Sequence, residues 1–84
     1  MFEFLLVHGA CHRSWVWAQV IPALQALGHG ARAVDLTGQT LADYADVITD
    51  ALRGPTILVG HSAGGFAITA ARSPQIIGRI YLCA

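Results

Sequence analysis

Apolar and polar residues follow two different periods along the chain, and the switches between them mark out strands and helices. Phe2-Glu3-Phe4-Leu5-Leu6-Val7 is almost continuously apolar and stops at His8-Gly9, as a strand buried on both faces would. After a loop through Ser14, the residues Trp17, Val20, Ile21, Leu24 and Leu27 recur at spacings of three and four, closed by Gly28. That spacing predicts one face of a helix. Pro22 lies inside it, so the expected helix loses a hydrogen bond and bends there. Gly30 then precedes a weaker strand over Ala31 to Leu36.

Thr40-Leu41-Ala42-Asp43 has the form of a capping box, a hydroxyl followed three residues later by an acid. Leu41, Tyr44, Ala45, Ile48, Ala51 and Leu52 continue it as a helical face until Gly54-Pro55. The acids Asp43, Asp46 and Asp50 fall on the wet side of that helix. Thr56 to Val59 reads as a third buried strand, Ala63 to Arg72 as a helix ending before Ser73-Pro74, and Arg79 to Ala84 as a fourth strand. Strands alternating with helices predict an α/β fold, a three-layer sandwich with a parallel sheet. Right-handed crossovers favour the order 2-1-3-4. Residues 1–84 make one domain at most. In that order the first and third strands are neighbours, and ligands bind at their carboxyl ends. The loop from His8 to Ser14 and the turn from Gly60 to Gly64 are therefore expected to meet.

Composition sharpens this picture. A chain of 84 residues buries only about 60 to 65% of its unfolded surface, so core area is scarce. The hydrophobic fraction of 55% and charged fraction of 12% exceed and fall below the usual ~45 to 50% and ~25%, which suits a sheet covered on both sides. No apolar run approaches the ~20 residues of a membrane span, and Met1-Phe2-Glu3 lacks the start of a signal peptide. A soluble, cytoplasmic protein with no membrane partner is expected. Five arginines against five acids give zero formal charge, which argues against a nucleic-acid partner. Cys11 and Cys83 show no paired spacing, so they read as free thiols in a reducing compartment, with no metal site.

The chemistry concentrates in two loops. Gly60-His61-Ser62-Ala63-Gly64, between a strand and a helix, has the form of a nucleophile elbow, a strained turn that lifts a serine oxygen above the sheet. The alternative, a plain glycine-rich turn, fits less well with an apolar strand before it, a helix after it and His8-Gly9 at the end of the neighbouring strand. Gly60 and Gly64 are expected to remove side chains where the elbow meets backbone. The amide of Ala63 opens the following helix and is unpaired there. With the amide of Ala10 it forms a candidate oxyanion hole for a nucleophile at Ser62. No phosphate-binding glycine motif is present.

Together, Leu-Leu-Val-His-Gly-Ala-Cys-His-x-x-Trp-x-Trp, Val20-Ile21-Pro22-x-Leu24, Gly28-His29, Val34-Asp35-Leu36 and Gly60-His61-Ser62-x-Gly64-Gly65 resemble α/β-hydrolases of the plant methylesterase and hydroxynitrile lyase group and their bacterial esterase relatives. The resemblance covers the whole chain. It implies hydrolysis of a small-molecule carboxylic ester through an acyl-enzyme on Ser62, with oxyanion amides from Ala10 and Ala63 and no cofactor. In the lyases a Thr tends to stand where Gly9 stands here, which favours the esterase. It also implies an amino end near the first strand and a total length roughly three times this one, typical of one large α/β domain. The triad Asp and His of such proteins come from later loops, so this chain reads as the first part of the domain.

A serine without its base is a weak nucleophile. His8, His61, His12 and His29 do not supply the base by position. The isolated chain is thus expected to be inactive or weakly active, and a non-catalytic module is the rival of a different class. The strand over 79–84 leaves an apolar edge that a further segment or a second copy could cover.

Around the loop, Gly9, Cys11, His12 and Trp15 are candidates for a substrate pocket. Against that, Cys11 is expected to be a small buried thiol, and Trp15 and Trp17 to pack. Arg13 reads as a solvated surface arginine, and Asp35 as a structural acceptor for nearby loop amides rather than the triad acid.

Overall fold

The computed structural model describes residues 1–83. Four strands, β1 (Glu3–Val7), β2 (Gly30–Val34), β3 (Thr56–His61) and β4 (Ile76–Leu82), form a parallel sheet in the order β2-β1-β3-β4. β1 pairs with β2 from Glu3 opposite Gly30 to Val7 opposite Val34, and with β3 from Phe4 opposite Ile57 to Val7 opposite Gly60. The predicted order is the observed one. The connections are α1 (Val20–Ala26), α2 (Leu41–Ala51) and α3 (Gly64–Ala70).

Alternation along each strand divides the core between two faces. Leu5 and Val7 of β1, Val34 of β2 and Leu58 of β3 point to the side covered by α2 and α3, where they pack with Ile48, Ala67, Ile68 and Ala71. Leu6 and Val59 point to the opposite side, where they meet Trp17 and the half-buried Ile21 and Leu24 of α1. α2 begins as its sequence requires: the Thr40 hydroxyl accepts from the Asp43 amide at 3.1 Å, and the Asp43 carboxylate accepts from the Thr40 amide at 3.1 Å. No helix among the described residues is long and apolar enough to cross a membrane.

The first helical segment differs from its sequence reading. A 3-10 turn over Ser14–Trp17 comes first, and α1 starts only at Val20, with Gln19 as its N-cap. Pro22 therefore stands in the first turn, where its missing N–H has no helical partner to lose, so the hydrogen-bond loss expected of it does not arise. The far end is as predicted: Gly28 has φ 89°, and the amides of Gly28 and His29 donate to the carbonyls of Gln25 and Leu24. This is a Schellman closure, which favours glycine at the left-handed position.

β2 ends at Val34, before the predicted Asp35 and Leu36. β3 runs on to His61, beyond the predicted Val59. β4 starts at Ile76 rather than Arg79, because a register shift opposite Thr56 and Ile57 lets Ile76 and Gly78 pair before the apolar run begins. Of the strand expected over 79–84, Ala84 lies outside the described residues. Along β4, Ile77, Ile80, Tyr81 and Leu82 are all open to solvent. Arg79, also exposed, folds back over the end of α3, donating from Nε to the Ile68 carbonyl at 2.8 Å and from Nη2 to the Ala71 carbonyl at 2.7 Å. It thereby satisfies carbonyls that the end of α3 leaves without helical partners.

Candidate active site

The carboxyl ends of β1 and β3 bring the two chemistry-bearing segments together. Ser62 follows the last residue of β3 with φ 54°, a left-handed conformation that costs a non-glycine residue free energy and persists only when its surroundings enforce it. Those surroundings are backbone. The Ser62 amide donates to the Leu82 carbonyl of β4 at 2.9 Å, and the Gly65 amide donates to the Ser62 carbonyl at 2.9 Å.

A methyl group on Gly60 would lie 2.8 Å from the Gly64 carbonyl oxygen. One on Gly64 would lie 2.6 Å from the Val7 carbonyl oxygen and 2.7 Å from that of His8. Both glycines thus stand where the turn touches other main chain, which is the reason a Gly-x-Ser-x-Gly pattern recurs in such turns. On the other side, a methyl on Gly9 would lie 3.0 Å from the His61 carbonyl oxygen and 3.2 Å from the Ser62 Cβ. The loop after β1 therefore lies directly against the elbow.

That loop is a turn closed by the His12 amide donating to the Gly9 carbonyl at 3.3 Å. Cys11 sits in it at φ 61° and is exposed. The expectation of a buried thiol is corrected: the left-handed position holds Cys11 on the outside of the turn, away from both cores. Trp15 also departs from its expected packing, with 65% of its surface exposed, while Trp17 is buried at 5%. The 3-10 turn separates them, directing Trp17 to the sheet and Trp15 outward. Trp15 instead meets the edge of His12 with centroids 5.7 Å apart, and His12 and Trp17 each meet His61 at 6.3 and 6.5 Å.

Asp35 takes the structural place expected of it. Its carboxylate accepts from the Ser14 amide at 2.6 Å, the Ser14 hydroxyl at 3.1 Å and Arg13 Nε at 3.2 Å. The Ser14 amide above all holds the carboxyl below its ordinary value; desolvation opposes this, and Arg13 and the Ser14 hydroxyl reinforce it. Arg13 stays an exposed surface arginine, as expected, with its Nε on the half-open Asp35 carboxylate, and the pair itself adds little.

Two recesses of about 240 Å³ each flank the elbow. The first is lined by Gly9, Ala10, Cys11 and His12 together with Ala63 and, from α2, Tyr44. Three of the four sequence-predicted pocket residues thus share one cavity with both candidate oxyanion residues, whereas Trp15 does not line it. The second recess contains Ser62 with Gly65, Phe66, Thr69 and Tyr81. There the Thr69 hydroxyl donates to the Gly65 carbonyl at 2.8 Å, so in the 2.7 Å pair with Tyr81 the phenol is the donor. Tyr44, Phe66, Thr69 and Tyr81 escaped the sequence reading. Helical spacing from Ser62 places Phe66 and Thr69 on the elbow's own helix face, a signal that could have found them.

Comparison with known proteins agrees with this architecture. A model of the alpha/beta hydrolase family matches residues 4–84. Esterase PIR7B of Oryza sativa subsp. japonica is 35% identical over 82% of this chain and 32% of its own length. Methylesterase 1 of Arabidopsis thaliana is 36% identical over 89% of this chain and 36% of its own. Among solved structures, polyneuridine aldehyde esterase superposes with a TM-score of 0.85 at 27% identity, covering 96% of this chain and 39% of that one. A pyrethroid hydrolase from Sphingobium faniae superposes with a TM-score of 0.81 at 32% identity, covering 95% and 38%. The chain thus spans less than two fifths of each of these relatives. With the strand order, the strained serine turn and these matches in agreement, the chain belongs to the alpha/beta hydrolase family.

Proposed function

We propose that the chain is the nucleophile-bearing part of a serine hydrolase acting on small carboxylic esters. The Ser62 Oγ attacks the ester carbonyl carbon, and the oxygen that becomes negative rests on the amides of Ala10 and Ala63. Neither amide donates a hydrogen bond to another described residue. The serine's proton passes to a histidine, oriented by an acid, that this stretch does not supply; the same histidine returns it to the departing alcohol. Water then hydrolyses the acyl-enzyme, and no cofactor takes part. The observation that carries this reading is Ser62 at φ 54°, flanked by glycines that side chains could not replace without meeting backbone.

The esterase reading is preferred to a hydroxynitrile lyase because Gly9 stands at the position next to the serine, and because the relatives described above are esterases and a hydrolase. Cytoplasmic placement fits two exposed thiols, Cys11 and Cys83, that are not joined in a disulfide. The open edge of β4 would be covered by a further segment that also brings the acid and base.

An active-site-directed fluorophosphonate tests the reading. Labelling of one site per chain, abolished in Ser62→Ala, supports a competent elbow, and absence of labelling even with imidazole supplied as the base favours a non-catalytic module. Ester turnover by the 84-residue chain alone should be slight or absent. A rate near that of a whole hydrolase would show that the base is already present.

A further inference from the structure

We infer that His8 is a positioning residue, one that aims the Ala10 amide at the space above Ser62 by holding the other end of the same peptide group. The inference rests on the oxyanion role proposed for Ala10 and adds a cause for its orientation.

His8 is buried, with 5% of its surface exposed, and both ring nitrogens are engaged. The Leu36 amide donates to Nε2 at 3.0 Å, so Nε2 carries no proton. A neutral imidazole then has its proton on Nδ1, and Nδ1 donates to the Gly9 carbonyl at 2.8 Å. That carbonyl also accepts the His12 amide at 3.3 Å.

The Gly9 carbonyl and the Ala10 N–H belong to one planar trans unit and point in opposite directions. Two donors fixing the carbonyl therefore fix where the amide aims. The need for such a restraint follows from Gly9 itself. Its side-chain space is crowded by the His61 carbonyl and the Ser62 Cβ, which favours glycine there, and glycine's backbone rotates more freely than any other. Left alone, the Gly9–Ala10 peptide could turn about its flanking bonds and carry the amide out of line.

His8 supplies the restraint from the sheet rather than from the loop. Its acceptor contact is with Leu36, beyond the end of β2. The next residue back, Asp35, holds the opposite end of the same loop through the Ser14 amide at 2.6 Å. The loop is thus tied at both ends to the exit of β2, and only the His8 tie passes through the peptide group that carries the candidate oxyanion donor.

Two isosteric variants separate positioning from simple tethering. In His8→Asn the side-chain amide can replace Nδ1–H at the Gly9 carbonyl while the bond to Leu36 is lost. In His8→Gln the side-chain oxygen can replace Nε2 toward Leu36 while the donor to Gly9 is lost. Saturation kinetics of fluorophosphonate labelling should show His8→Asn within a few-fold of the parent in its maximal rate. His8→Gln should fall by about 10²-fold, the scale of losing an oxyanion donor, with half-saturating concentration little changed. The reverse order, or equal losses, would overturn the inference.

Long-range nitrogen–proton NMR on the unsubstituted protein keeps it testable if either variant fails to fold. The Nδ1-protonated tautomer of His8 is required, and the Nε2-protonated form would overturn the inference. Residual dipolar couplings of the Ala10 amide should match between the parent and His8→Asn and differ in His8→Gln; matching couplings in all three would also overturn it. If the parent is not labelled at Ser62, the catalytic reading fails, and the tautomer and couplings still decide whether His8 sets this peptide plane.

Discussion

The side of the sheet under α2 and α3 closes around eight buried residues, from Leu5 to Ala71, whereas the side under α1 closes around three, Leu6, Trp17 and Val59. Helix length explains part of the contrast. α2 has eleven residues and buries Ile48, while α1 has seven and buries none. Placement explains the rest: α1 packs on β2 and the 3-10 turn on β1 and β2, so the same face of β4 is left open, with Ile80 and Leu82 each 42% exposed. The elbow belongs to the denser side. α3 carries it, and Gly64 lets that helix approach the Val7 and His8 carbonyls of β1. The contrast teaches that the serine's strained turn is supported by the well-packed half of the domain, while the sparse half contributes the loop that faces it.

Substitutions that truncate one apolar side chain on each face put this contrast at most risk. Ile68→Ala, on the dense face, should lower the unfolding free energy by about 3 kcal/mol in urea titration, the sum of lost transfer energy and a cavity. Leu24→Ala on α1 should cost about 1 kcal/mol, because its side chain is only half removed from water. Equal costs would break the comparison. Gly64→Ala comes next, at about 2 kcal/mol, since the new methyl meets carbonyl oxygens that cannot move aside as a side chain would. It should also slow labelling at Ser62 beyond what its stability loss accounts for, and unchanged labelling would separate the elbow from the dense face.

The smallest effect is expected on the acid side. The Ser14 amide holds Asp35 below its ordinary pKa of 3.8, and the Gln39 and Thr40 amides do the same for Asp43. Because both folded values are depressed, the stability they contribute is complete above the ordinary value and is lost as pH falls through the folded ones. Denaturation followed from neutrality down to about pH 2 should therefore show a weaker acid decline in Asp35→Asn and Asp43→Asn than in the parent. A steeper decline would reverse the assigned sign.

Strand order and elbow were legible in the sequence because both rest on local patterns that tertiary contacts reinforce. Near-continuous apolar runs at Leu5 and Leu58 admit little but central parallel strands, and the glycines around Ser62 have a steric reason that spacing already suggests. The illegible parts depend on contacts remote in sequence. The start of α1 was misplaced because Trp17 continues the helical spacing by chance: the 3-10 turn that holds it is tied to Asp35 through Ser14. The exposure of Cys11 and Trp15 follows from that same loop geometry and has no signature in composition. β4 began early because Ile76 pairs with Thr56 across a register shift, which Gly78 conceals by interrupting the apolar run. Of the site, Ser62 and the loop residues were readable from motif, whereas Tyr44 and Tyr81 were not, since they arrive from elements whose facing residues only the fold determines.

The close approach at Gly64 also bears on when the site can exist during folding. The carbonyls that Gly64 meets belong to Val7 and His8, and β1 reaches β3 through the parallel pairing that runs from Phe4 opposite Ile57 to Val7 opposite Gly60. Such distant pairings form late, because the chain entropy of closing a long loop must be overcome first. The turn around Ser62 has its bonds to Leu82 and Gly65 from β4 and α3, but Gly64 meets β1 only once that closure is complete, so the full reactivity of the hydroxyl should emerge in the final phase of refolding, and a serine-directed reagent would act as a clock for the last event in assembling the sheet.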